Sequence, residues 1–191
     1  MSAYSVVLYL HLLSVLIGIG AAAVLIVSLT RLRAADTLES AAPWGLLAGA
    51  AAKGFPVAIL GLFLTGAYMT SDVWSWDTGW IDVGIAALVV LGAQGALVSA
   101  PSGKRVEHAL QENGPGPLSM QARRIARHPG LLAGEGSAVG LVLGIIWNMT
   151  TKPGLAGAIA AALIGYAVGG LVGLRASRTA EAEAEPVRAA G

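Results

Sequence analysis

Five long apolar segments dominate this chain, at about residues 4–29, 44–70, 80–100, 131–150 and 154–174. Each reaches the roughly 20 apolar residues that a helix needs to cross a bilayer. Backbone groups cannot stay unpaired in hydrocarbon, so such segments become helices rather than strands with open edges. The reading is therefore all-α: a polytopic membrane protein with five transmembrane helices in one bundle. Residues 1–175 form that single domain, with a loop at 101–130 and a tail at 176–191. Composition agrees. Charged residues make up 12% of the chain and hydrophobic ones 55%, against about 25% charged in soluble domains. There is no cysteine, which excludes disulfides, zinc–thiolate sites and thiol nucleophiles. A net charge of +1 offers nothing to a nucleic acid, and none is expected as a partner.

The basic residues set the orientation instead. Arg31 and Arg33 follow the first segment. Lys104, Arg105, Arg123, Arg124 and Arg127 lie in the 101–130 loop, and Arg175, Arg178 and Arg188 follow the fifth segment. Asp72, Asp77 and Asp82 lie on the other side. The positive-inside rule then places the N-terminus outside and the C-terminus in the cytoplasm. Residues 1–23 lack the basic start and short apolar run of a cleaved signal peptide, so they are read as part of the first span.

Small residues recur every fourth position in the last two spans: Gly136, Gly140 and Gly144, then Gly157, Ala161, Gly165, Gly169 and Gly173. Such stripes let helix backbones approach closely, which predicts a tight pair. The alternatives are a flat slot for a porphyrin or quinone ring, and a face for a second copy or the subunits of a membrane complex. Pro56 inside the second span should kink it and free a carbonyl. Trp74, Trp76 and Trp80 in one outer loop read as an interfacial belt, or as a cap over an outer pocket. Residues 104–112 and 118–127 are expected to form short amphipathic helices, with Arg123, Arg124 and Arg127 facing anionic headgroups.

Ionisable groups in hydrocarbon are costly and mark function. Lys53 in the second span and Glu135 in the fourth are both placed in the inner half, as is Gln94 in the third. They form a candidate buried polar or proton site in which Lys53 and Glu135 are expected to lie close, because each is costly alone. The rival role is a structural ion pair. His11 is the one histidine in a span, in the outer half, with Ser14 and Gly18 on its face. A neutral imidazole there is a candidate ligand for haem iron or another metal, or a hydrogen-bonded packing residue. His108 and His128 lie in the cytoplasmic loop, and Met69 reads as an interfacial apolar residue. Four methionines and no cysteine make a poor set of soft copper(I) ligands.

Several short stretches resemble a known group. They are Leu10-His11-Leu12-Leu13-Ser14, Leu64-Thr65-Gly66, Gly79-Trp80-Ile81, the isolated Glu135, and Lys152-Pro153. Over about residues 5–155 the chain resembles small bacterial integral membrane proteins around the copper-resistance D domain and the HemJ-type protoporphyrinogen oxidase. Among these it is most similar to a predicted integral membrane family without assigned function. The resemblance implies a multi-pass protein of the bacterial inner membrane and a haem b with His11 as axial ligand. Two features depart from the pattern. No lysine follows Gly79-Trp80, and Glu135 lacks flanking Asn and Pro. Porphyrinogen oxidation is therefore not implied, and no enzyme activity is assigned. The leading expectation is a haem-binding or redox-related membrane protein centred on His11. The alternatives are a small proton-coupled transporter using Lys53 and Glu135, and a structural subunit of a membrane complex.

Overall fold

The computed structural model describes residues 2–189, with side chains described as far as Arg178. It is helical throughout, and among the described residues the one extended pairing is an isolated bridge between Thr37 and Pro117. The helices are α1 (Ala3–Ala34), α2 (Leu38–Ala52), α3 (Gly54–Val73), α4 (Gly79–Gln94), α5 (Ala100–Gln111), α6 (Met120–Ala126), α7 (Pro129–Thr151) and α8 (Leu155–Ala189). A single π-helical turn, Gly95–Ser99, joins α4 to α5. Taken as α1, α2–α3, α4–α5, α6–α7 and α8, they supply five continuous stretches long and apolar enough to cross a membrane. The tail continues α8, and the side chains of Glu181, Glu183 and Glu185 lie outside the described residues.

Local chemistry explains the boundaries. Ser2 caps α1 by accepting the Ser5 N–H, and Thr37 and Ser40 close a reciprocal capping box on α2. Pro56 has no N–H to donate to the Ala52 carbonyl, and Gly54 tolerates the resulting bend. The second span accordingly breaks at Lys53, which ends α2 and starts α3. Lys152 ends α7 in the left-handed region, at φ 49°, its N–H bonded to the Asn148 carbonyl at 2.8 Å.

Two groups of helices form the bundle. In the first, α1 packs on α2 and α3. Its seam is a ladder of small residues: Ala21 meets Gly54, Gly18 meets Ala58, Ser14 meets Gly61, and His11 meets Gly66. In the second, α7 and α8 form the most extensive pair, with α4 against both. The predicted glycine stripes face each other here. A Cβ on Gly140 would strike the Gly165 carbonyl, one on Gly136 the Gly169 carbonyl, and one on Gly144 would sit 2.6 Å from the Ala161 oxygen. Backbone lies on backbone, so Gly136, Gly140 and Gly144 are spent on the contact with α8.

Polar and aromatic contacts tie the two groups at their ends. At one end, the Lys152 ammonium lies 4.6 Å from the Trp74 ring centroid. Trp74 in turn meets Trp80 edge-on at 5.2 Å, while Trp76 stays exposed. At the other end, α5 and α6 fold back onto the bundle. Val106, Ala109, Leu110, Ala122 and Ala126 join Leu25, Leu29, Leu32 and Leu132 in one apolar cluster. This corrects the expectation for the loop arginines. Arg123 and Arg127 turn inward to Asp36, at 3.4 and 3.3 Å, and to the Leu118 and Arg33 carbonyls. Of the three, Arg124 stays exposed. Burying Ala122 and Ala126 of α6 brings these arginines over backbone acceptors that a helix lying on lipid would not reach.

Candidate functional site

The expected inner site is half assembled. Gln94 and Glu135 come together, on α4 and α7. The Gln94 Nε2 donates to the Gly134 carbonyl at 2.6 Å, and its Oε1 accepts the Tyr166 hydroxyl of α8 at 3.1 Å. One residue along α7, the buried Glu135 carboxyl accepts the Ser99 hydroxyl at 2.8 Å.

Lys53 is the exception. It is exposed rather than buried, and no ion pair joins it to Glu135 among the described residues. The reason is the α1–α3 seam. Gly54, Ala58 and Gly61 face α1, and Lys53, about 100° around the helix from Gly54, falls off that face. Glu135 belongs to the other helix group and pairs with a neutral hydroxyl.

The π turn brings Ser99 to the carboxyl. At 3.6 residues per turn, residues five apart on an α-helix are about 140° apart around the axis. Here the Ala100 N–H reaches back five residues to the Gly95 carbonyl, which brings residues five apart onto one face. Gln94 and Ser99 thus contact Gly134 and Glu135, neighbours on α7. Pro101, two residues beyond, has no N–H for the α-helical bond to Leu97 and marks the irregularity.

The second site is built around His11, which is buried in the α1–α3 seam. Its Nδ1 lies 2.9 Å from the Thr65 Oγ1. That hydroxyl donates its proton to the Gly61 carbonyl at 2.6 Å, so the ring nitrogen is the donor and Nδ1 carries the hydrogen. Nε2 keeps its lone pair and makes no hydrogen bond among the described residues. Ser14 donates to its own helix, to the Leu10 carbonyl at 2.9 Å, and Gly66 packs against the imidazole. His108 is exposed on α5, and His128 caps α7 by accepting the Gly130 N–H at 3.1 Å. Neither joins His11. Among the described residues no three His, Cys, Asp or Glu side chains cluster to hold a metal ion.

Sequence reasoning missed Ser99, Tyr166 and Thr65. Thr65 sits in the Leu64-Thr65-Gly66 stretch, and its role needed the pairing of α1 with α3. Comparison of the chain with known proteins finds no matching family model, no similar curated protein and no similar solved structure.

Proposed function

We propose that this multi-pass membrane protein takes up and releases protons at Glu135, the coupling site of a small proton-coupled carrier. One observation carries the reading. A carboxyl buried within a span is bonded by a neutral hydroxyl, and no cationic side chain pairs with it among the described residues. Charge in hydrocarbon is expensive and marks ion or proton pathways, and a transferable proton is the simplest means of removing it. Lys53 has no part in this site.

Dicyclohexylcarbodiimide, an apolar reagent that attacks protonated carboxyls, tests it. The purified protein in lipid nanodiscs should gain one adduct on Glu135, found by peptide mass spectrometry, with a yield that falls as pH rises. Glu135→Gln should remove it entirely. No adduct on Glu135 at any pH would end the proton reading.

The orientation proposed with it places the N-terminus outside and α5–α6 in the cytoplasm of a bacterial inner membrane, on the positive-inside distribution. Because the chain has no cysteine, one introduced thiol reports topology cleanly. Gly116 is a poor site, since its φ of +99° disfavours a side chain. Lys104 is exposed on α5. Lys104→Cys should resist a membrane-impermeant maleimide in intact cells and react once the cells are opened. Labelling in intact cells would invert the topology.

A second reading rests on His11. The Nδ1–H bond to Thr65 fixes the ring tautomer and leaves Nε2 as a ligand, as outer-shell donors do at metal sites. His11 would be one axial ligand of a haem b, whose iron would supply one-electron chemistry. The expected result is a Soret band in protein expressed with haem supplied, lost in His11→Ala. A band of equal intensity in His11→Ala would remove this reading and leave Glu135 unaffected.

A further inference from the structure

The π turn holds one polar group that nothing in the pattern of apolar residues points to. We propose that Ser99 is the positioning residue of the Glu135 proton site, and that the π turn exists to place its hydroxyl there. This rests on the proton reading above.

Three facts support it. Among the described residues, Ser99 makes the one hydrogen bond to the carboxyl, at 2.8 Å. That bond joins two separate helical segments, the π turn and α7, so it positions as well as stabilises. Its neighbour contact, Gln94 to the Gly134 carbonyl at 2.6 Å, anchors the turn one residue away, and Tyr166 holds the Gln94 amide from α8. An unbroken α-helix through Gly95–Ser99 would bring Gln94 or Ser99 to α7, but not both. Given the five-residue spacing between Gln94 and Ser99, the turn therefore has a chemical product: a hydroxyl donor aimed at a carboxyl.

A hydroxyl donor interacts differently with a carboxylate and with a neutral carboxyl, so its removal changes the balance between the two forms. Ser99 would thus govern when Glu135 lets its proton go. The experiment is the carbodiimide reaction measured as a pH profile. Ser99→Ala should displace the midpoint of Glu135 labelling along the pH axis, while Ser99→Thr should restore the wild-type profile. Ser99→Val, which has the shape of threonine without its hydroxyl, should behave like Ser99→Ala and decides the matter if the alanine variant does not accumulate. Deleting Leu97 converts the turn to α-helix and leaves residues 94 and 99 four apart, on one face. That variant should keep the wild-type midpoint.

Wild-type labelling that varies with pH but is unchanged in Ser99→Ala or Ser99→Val would overturn the role of Ser99 and leave the proton site standing. A midpoint displaced equally in Ser99→Thr or in the Leu97 deletion would also overturn it, because the shift would then follow general disturbance of the turn. Absence of any Glu135 adduct in the wild type would instead remove the proton site itself.

Discussion

Gly140→Leu is expected to unpack the second half of the bundle. A Cβ at this position meets the Gly165 carbonyl and the Gly169 Cα of α8, and a leucine adds three more carbons. Overpacking an ordinary core costs about 1–3 kcal/mol because side chains can shift. Here the obstacle is backbone on both sides, held along several turns by the Gly136–Gly169 and Gly144–Ala161 contacts, so about 3 kcal/mol is the lower end of the expectation. The helices would have to separate, breaking the Asn148 amide's bond to the Ala158 carbonyl, 3.0 Å long. Thermal unfolding in detergent should show a large drop in midpoint, or no folded protein. Gly84→Ala and Gly92→Ala are the controls. A Cβ there meets nothing within 4 Å, and their stability should stay within about 1 kcal/mol of wild type. A Gly140→Leu chain melting with the wild type would mean that the α7–α8 seam is wrongly drawn.

That seam was legible because a period of four is a geometric statement. Small residues at i, i+4 and i+8 form one line on any α-helix, and two such lines in adjacent spans joined by a short turn have one economical use. The five spans were legible for a similar reason, length against bilayer thickness. Pro56 announced the break in the second span, since a missing N–H is a property of the residue itself.

The polar site was legible only in part. Glu135 and Gln94 could be placed by depth, but the partner of Glu135 was assigned by charge alone. Opposite charges in hydrocarbon do attract, yet pairing also requires a shared face. Lys53 lies off the face that α3 turns to α1, and Glu135 is in the other helix group. Ser99 was hidden because α-helical periodicity rotates it away from Gln94, and a π turn is not a pattern of apolar residues. The loop arginines were misread for a related reason. Counting basic residues identifies the cytoplasmic side, but it cannot distinguish a guanidinium facing lipid from one bonded to carbonyls.

Arg33 shows that difference most sharply, and the second large effect is expected there. It is one of the basic residues on which the proposed orientation rests, yet it is 4% exposed. Its guanidinium donates to the His128 carbonyl at 3.2 Å and to the buried Ser177 carbonyl at 3.1 Å. It thereby joins the end of α1 to the start of α7 and to α8, while Arg127 bonds the Arg33 carbonyl at 3.0 Å. A lysine could not replace it, because one ammonium lacks the planar fork that reaches two separate acceptors. Arg33→Ala leaves two backbone acceptors without that donor and a void the size of the side chain. Each lost charged hydrogen bond is worth about 1.5–3 kcal/mol, so a loss of about 3–5 kcal/mol is expected, as for other broken buried charge contacts. Arg33→Lys should recover less than half. Arg31→Ala, two residues earlier and exposed, should change stability by less than about 0.5 kcal/mol. Limited proteolysis would locate the damage. In Arg33→Ala, cleavage within 101–130 should rise well above wild type, because the start of α7 at His128, which ends that segment, loses its side-chain bond to α1. Equal stability and equal cleavage in Arg31→Ala and Arg33→Ala would show that the apolar cluster of Leu29, Leu32, Ala122 and Leu132 holds this end of the bundle without the arginine.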